Sequence, residues 1–123
     1  MLFRSEVEVA RAFARLGVKS SEDPLPWMTI FTRSDHYPFM QVGVPGVMLF
    51  PGKESGDGAR DGVAAQRHWF ENVHHTPRDR FDQGIDWGAG VTYAEANLLI
   101  GYGIANAASR PKWRGRFFFR DAQ

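Results

Sequence analysis

Apolar residues recur at helical spacing near the start of the chain, and this pattern predicts an amphipathic helix over residues 5–16. The apolar face of this helix is formed by Val9, Phe13 and Leu16. Arg11 and Arg15 lie in its second half, where positive charge suits the negative end of the helix dipole. Gly17 then ends the helix, because glycine readily takes the left-handed conformation that closes many helices.

A short helix and a short strand are predicted next. The helix spans residues 36–42, with Ser34 or Asp35 as its cap and Pro38 in its first turn, where a missing N–H does no harm. Residues 44–50 follow as a run that is apolar on both faces. Such a run suits an inner strand of a parallel sheet.

The second half of the chain predicts a long loop and a long helix. Residues 51–73 are rich in glycine and charge, which is typical of a functional or mobile loop. Apolar residues keep helical spacing over residues 91–108, and Pro111 stops that helix. The order of elements indicates an α/β fold. Because one strand cannot form a sheet, we interpret residues 1–123 as part of a larger domain, with an incomplete sheet flanked by helices.

Composition narrows the possible partners. Charged residues make up 24% of the 123 residues and the net charge is +1, so no nucleic-acid partner is expected. No stretch approaches the roughly 20 apolar residues of a membrane span.

The aromatic and basic residues of the tail, 110–123, are expected to pack back on the domain. With no cysteine, any metal ligand must be His, Asp or Glu, and no compartment is indicated.

Histidines cluster in the second half of the chain. His68, His74 and His75 fall close together, beside Asp79 and Asp82. Histidine is the commonest neutral metal ligand, and carboxylates complete many zinc sites. Spacing alone leaves two interpretations open. One is a small self-contained metal site built from His68, His74, His75 and Asp79, and the other is a set of loop histidines without a metal.

Two sequence blocks resemble motifs of the aminopeptidase family of zinc metallopeptidases, whose relatives include glutamate carboxypeptidase and glutaminyl cyclase. The first block is RSDHYPF over residues 33–39, followed by GVP over 43–45, and it is similar to the family's SDHxxF…GVP block. The second is HTPRD over residues 75–79, followed by ID over 85–86, and it is similar to YHTPxD…ID. Both blocks occur in the family's order, and the resemblance covers nearly the whole chain.

The resemblance implies roles for particular residues. In the family the histidine before Thr-Pro binds one of two zinc ions, and that position is His75 here. The residue before it is usually a tyrosine that stabilises the oxyanion; His74 departs from this pattern, although an imidazole can also donate a hydrogen bond. Ser34, Asp35 and His36 match a block that lies near the site and supports it without direct ligation.

Other parts of the family's site are absent from the sequence. The family uses an upstream His-x-Asp element, a Glu-Glu pair that supplies the general base and a ligand, and a further acidic ligand. This chain contains neither His-x-Asp nor Glu-Glu. Catalytic zinc usually has three protein ligands. We therefore expect the chain to contain no catalytic base and to bind zinc weakly by itself, whereas an intact domain would hold two zinc ions.

Two functional hypotheses follow. The first is a C-terminal fragment of a zinc-dependent aminopeptidase-type metallopeptidase, which in the intact protein hydrolyses peptide bonds near a free N-terminus with metal-activated water. The alternative is a non-catalytic binding or interaction module that retains part of the peptidase fold. In both cases apolar area is expected where the missing strands would pack, so the chain is expected to associate with an upstream half or with itself.

Overall fold

The computed structural model describes residues 5–55 and 58–111, and most of its regular structure is helical. Two short 3-10 helices, Pro26–Met28 and Ile30–Arg33, connect the first α-helix to the second. The α-helices of the described residues are α1 (Ser5–Leu16), α2 (Tyr37–Gln41), α3 (Gly62–Asn72) and α4 (Trp87–Ala105). The sequence-based predictions of α1 and of the short helix α2 are confirmed.

Helices α1 and α4 form the most extensive contact between elements. Ala12 on α1 is buried, as are Ala96 and Ile100 on α4. Gly103 of α4 lies so close to α1 that a Cβ at this position would overlap the Glu8 carboxylate. Small side chains therefore allow the two helices to approach closely, and this pair forms the scaffold of the described chain.

Helix α3 replaces the second half of the loop that was predicted over residues 51–73, and that prediction is wrong there. Asp61 stands at the N-cap of α3, and its Oδ1 atom accepts a hydrogen bond from the Ala64 N–H at 3.0 Å. Such a cap satisfies one of the free N–H groups of the first turn and stabilises a helix by about 0.5–2 kcal/mol. The cap explains why a segment rich in charge nevertheless folds as a helix.

Helix α4 confirms the long helix predicted over residues 91–108, but its bounds are shifted towards the N-terminus. The helix begins at Trp87 rather than at residue 91, because Asp86 is its N-cap. The Oδ1 atom of Asp86 accepts a hydrogen bond from the Ala89 N–H at 2.9 Å. The end moves to Ala105, followed by Asn106 as the C-cap. The side-chain amide of Asn106 donates a hydrogen bond to the Tyr102 carbonyl at 2.8 Å.

The predicted α/β fold is wrong, because the described residues contain no sheet. Their only β feature is one isolated bridge between Glu54 and Asp61. Residues 46–50, within the predicted strand, form no helix, turn or bend, and their main chain is unpaired. We name residues 46–50 the open segment. A strand is stable only when a neighbour accepts its hydrogen bonds, and the described chain offers no second strand here, so not even an incomplete sheet forms.

Helix α3 is attached to the chain that follows the open segment. The Gln66 amide nitrogen donates to the carbonyl oxygens of Pro51 at 2.9 Å and Gly52 at 3.1 Å. The Gly62 N–H donates to the Lys53 carbonyl at 2.8 Å. Any side chain at Gly62 would collide with the Gly52 carbonyl, so this close approach requires glycine. These contacts fix α3 relative to the open segment.

The buried core is small. Leu25 and Met40 are the largest side chains that are fully buried, while Trp27 and Phe39 nearby remain exposed. In the described part of the chain no helix has the length and apolar character needed to cross a membrane. The expected packing of the tail falls mostly outside the described residues, which end at 111.

Substituting Ile100 tests the α1–α4 scaffold. Ile100→Ala is expected to lower the free energy of unfolding by about 2–5 kcal/mol, because it leaves a cavity at a site that is 4% exposed. Leu98→Ala on the same helix is the matched control and should change it by less than about 0.5 kcal/mol, because Leu98 is 69% exposed. Both values come from urea unfolding followed by circular dichroism. Equal effects of the two substitutions would contradict the packing described here.

Candidate functional site

The first motif block lies between the second 3-10 helix and α2. The predicted capping role of Ser34 or Asp35 is wrong, because His36 is the N-cap of α2 and no side chain caps the helix. Ser34 instead turns back, and its hydroxyl donates to the Ile30 carbonyl at 2.8 Å. Asp35 is exposed. The block is therefore held by the preceding turn rather than by a cap.

His36 is packed into this block. Its ring lies 4.5 Å from the ring of Phe31, measured between centroids. The backbone of Gly46 is close to the other side, since a Cβ built there would lie 3.4 Å from both His36 Cδ2 and the Met40 sulfur. The Nε2 atom of His36 is buried and has no hydrogen-bond partner among the described residues. Buried polar atoms are normally paired, so this nitrogen marks a place where a partner group fits.

The second motif block follows the end of α3. The backbone N–H of His74 donates to the Trp69 carbonyl at 2.9 Å, and the His74 ring lies 4.5 Å from the Trp69 ring and 5.1 Å from the Phe70 ring. His75 stacks on His74 at 3.7 Å with the planes 28° apart. The Thr76 hydroxyl donates to the Val73 carbonyl at 2.6 Å and closes the turn. The aromatic residues of α3 thus fix His74, and His74 supports the ring of His75.

His75 adopts an uncommon backbone conformation, with φ at +58°. A left-handed conformation costs a residue with a side chain roughly 1–2 kcal/mol relative to the right-handed one. The residue is exposed, and its ring nitrogens make no hydrogen bond among the described residues. Strain of this kind is found mainly where function requires a particular orientation. The side chain of His75 is thus accessible from outside while its ring stacks on His74.

The structure does not join the two blocks directly. Within the described residues no hydrogen bond, ion pair or ring contact links His36 to His74 or His75. The first block lies at the start of the open segment, where His36 packs on Gly46. The second block follows α3, whose Phe70 ring stacks on Phe50 at the other end of the segment, with the ring centroids 6.0 Å apart. The expectation that Ser34, Asp35 and His36 lie near the site of His75 therefore stays a prediction.

The self-contained metal site is not formed. In the parts of the chain that the structure describes, no three His, Asp or Glu side chains are grouped so that they could hold a metal ion. His68 Nδ1 lies 3.3 Å from the side-chain nitrogen of Asn72, and Asp79 accepts from Gln83 at 3.2 Å. A zinc ion needs about three protein ligands in a catalytic site. The described residues alone therefore do not fit zinc.

The aromatic support of His74 was missed by sequence reasoning. Trp69 and Phe70 were assigned to a loop, where no fixed orientation is expected. Asp61 at the start and Val63, Gln66 and Phe70 at spacings of three and four could have indicated the helix that carries them.

Comparison with known proteins gives one match. A family model described as peptidase family M28 matches residues 3–100, a range that includes both motif blocks and most of α4. No curated protein and no solved structure matches the chain.

Replacing His75 with glycine tests the backbone strain. His75→Gly is expected to leave the stability unchanged or to raise it by up to about 1 kcal/mol, because glycine adopts a positive φ without steric cost. His74→Gly is the matched control and should destabilise the chain, because it removes the ring contacts to Trp69 and Phe70. Thermal unfolding gives both changes. A clear loss of stability in His75→Gly would show that the ring, rather than an external role, accounts for the conformation.

Proposed function

The chain belongs to peptidase family M28, a family of zinc-dependent peptidases, and from this premise we propose that it is the C-terminal part of an aminopeptidase-type hydrolase domain. The reaction of the intact domain would be hydrolysis of a peptide bond near a free N-terminus. The observation that supports the proposal is the conformation of His75, which by its HTP motif resembles the family's zinc ligand and is exposed, with a positive φ, after α3.

His75 would supply one nitrogen to a zinc site whose other ligands lie outside this chain. Three observations support this role: the exposed ring, the positive φ and the absence of a competing hydrogen bond in the described structure. Stacking on His74 limits the rotation of the ring. Because a metal site binds tightly only when its ligands are oriented in advance, this support favours the metal-bound conformation.

Four further residues would surround the site. His74 takes the place of the tyrosine that stabilises negative charge on the substrate oxygen, and its ring nitrogens can donate a hydrogen bond. Ser34, Asp35 and His36 would support the site from the first block. The unpaired Nε2 of His36 favours this, because a buried nitrogen without a partner would gain a hydrogen bond from a residue of the missing half.

The chain by itself has no residue to which we assign the chemical step. The sequence contains no Glu-Glu pair, so the general base of the family would come from the upstream half. General-base catalysis typically contributes about 10²–10⁴-fold to the rate. The contribution of this chain is thus to bind and orient, through His75 and His74.

A non-catalytic binding module is the alternative. It is favoured by one observation, an open apolar groove of about 880 Å³ beside α1 and α4 that is separate from the histidines. Grooves of this size commonly bind ligands or peptide segments. Under this alternative the chain would retain part of the peptidase fold without its chemistry.

Zinc content and hydrolysis test the proposal. After dialysis against metal-free buffer the chain alone should retain far less than one zinc ion per molecule, because it offers one ligand instead of three. It should also release no chromogenic amine from an aminoacyl anilide. When the upstream half is supplied as a separate chain, two zinc ions per complex and turnover are expected.

Two variants identify the ligand in that complex. His75→Ala should remove about one of the two zinc ions, because a site that loses one ligand loses most of its affinity. His68→Ala is the matched control and should retain both, since His68 lies outside the motif and contacts Asn72 on α3. Stoichiometric zinc in the isolated chain, or two zinc ions retained by His75→Ala, would contradict the role proposed for His75.

A further inference from the structure

Helix α4 is apolar on two opposite faces. One face contains the buried residues Ala96 and Ile100 and, at Gly103, lies against Glu8 of α1. The other face, which we name the outer face, consists of four large side chains that are each 60–69% exposed, namely Trp87, Val91, Leu98 and Tyr102. A helix at the surface of a protein normally has one apolar face and one polar face. The outer face therefore marks a surface for another segment.

The outer face points away from the open segment. The apolar groove between α1, α4 and the open segment has a volume of about 880 Å³, and Tyr93 and Ala96 line it from α4. Since an α-helix turns about 100° per residue, Trp87 and Leu98 lie about 160–180° around the helix axis from Ala96. Under the proposed function the rest of the domain completes the side of the open segment, where main-chain groups are unpaired. A different segment is therefore needed at the outer face.

The chain that leaves α4 starts at one end of the outer face. Asn106, the C-cap of α4, comes one turn after Tyr102, and residues 112–123 follow the described chain. An extended chain rises about 3.3 Å per residue, so residues 112–123 can span about 40 Å. Helix α4 has 19 residues and is about 28 Å long. The end of the chain is consequently long enough to run back along the whole outer face.

The sequence of residues 112–123 suits a surface that is apolar. Successive side chains of an extended chain point to opposite sides. One side would hold Trp113, Gly115, Phe117 and Phe119, and the other would hold Lys112, Arg114, Arg116, Phe118 and Arg120. Apart from Phe118, the aromatic and basic residues are thus separated. Such a segment can place aromatic rings on an apolar surface while its basic groups stay in water.

The charge of α4 also favours this segment. Glu95 is the only charged residue of the helix, and it is exposed and forms no salt bridge among the described residues. If Trp113 lies at Tyr102, Arg116 is about 10 Å further along the extended chain, and Glu95 is about 10 Å back along α4. The two opposite charges then meet. A second copy of α4 has no basic residue to offer Glu95, so residues 112–123 fit the outer face better.

We propose that residues 112–123 fold back antiparallel to α4 and cover its outer face, with Trp113 at Tyr102 and Arg116 beside Glu95. The contact removes apolar surface from water, which stabilises it. Since a terminal segment can leave a helix that stays folded, substitutions on the outer face change this contact and not the unfolding transition of the helical scaffold. The proposal concerns the chain alone and does not depend on zinc binding at His75.

Paired cysteines in the full chain test the position of the segment, because the sequence contains no cysteine of its own. Gly115 lies about 7 Å beyond Trp113 in the proposed register, level with Leu98. Leu98→Cys with Gly115→Cys is therefore expected to form an intrachain disulfide under mild oxidation, followed by non-reducing gel electrophoresis. Asn97→Cys with Gly115→Cys is the matched control. Asn97 is also exposed but lies about 100° around the helix from Leu98, so closure should be roughly tenfold slower.

Exchanging two charges tests the register. In the chain with Leu98→Cys and Gly115→Cys, Glu95→Lys or Arg116→Glu should each slow closure about two- to fivefold, because an exposed ion pair is a weak interaction. Both substitutions together should restore the rate. Equal closure of the two cysteine pairs, or charge variants that leave the rate unchanged, would overturn the proposal. Disulfides between chains rather than within one would also overturn it and assign the outer face to a second copy.

Discussion

The buried amide of Gln66 is the contact on which the position of the candidate site depends. Residue Gln66 is 7% exposed, and its side-chain nitrogen donates hydrogen bonds to two successive carbonyl groups, those of Pro51 and Gly52. Helix α3 is held further by the Gly62 N–H, which donates to the Lys53 carbonyl at 2.8 Å, by the Phe50–Phe70 stack, and by the Arg67 guanidinium, 5.4 Å from the Trp27 ring. Because His74 and His75 follow α3 directly, the amide also sets where these histidines lie relative to the open segment.

Local patterns predicted most helices and failed where structure depends on partners. α1 was predicted because its apolar spacing is set within the helix itself. α4 was predicted as a helix, but the buried residues on it are Ala96 and Ile100, whereas Val91 and Leu98 of the predicted apolar stripe are exposed. α3 was missed because glycine and charge in residues 51–73 concealed the Asp61 cap. The apolar residues of the open segment favour a strand, but such a preference is not sufficient to form one. A strand forms when its main-chain N–H and C=O groups pair with those of a neighbouring strand. The described chain contains no such neighbour, so the α/β prediction failed.

The candidate site could be predicted only through its motifs. Sequence spacing alone made His68, His74, His75 and Asp79 equally good candidates for metal ligands. The motif resemblance singled out His75 among them. The structure adds what no motif contains, namely the positive φ of His75 and its stacking on His74. The His74 ring in turn contacts Trp69 and Phe70 of α3, a helix that was not predicted from the sequence. Together they support the ligand role that we propose for His75.

The central proposal is that this chain is the C-terminal part of a zinc peptidase domain whose other metal ligands lie outside it. The most direct measurement is the nucleotide sequence immediately upstream of the codon for Met1. We predict an in-frame or adjacent coding segment that contains a His-x-Asp element and a Glu-Glu pair, the two motifs this chain lacks. An upstream region that encodes neither motif would contradict the interpretation of this chain as the C-terminal part of a zinc peptidase domain.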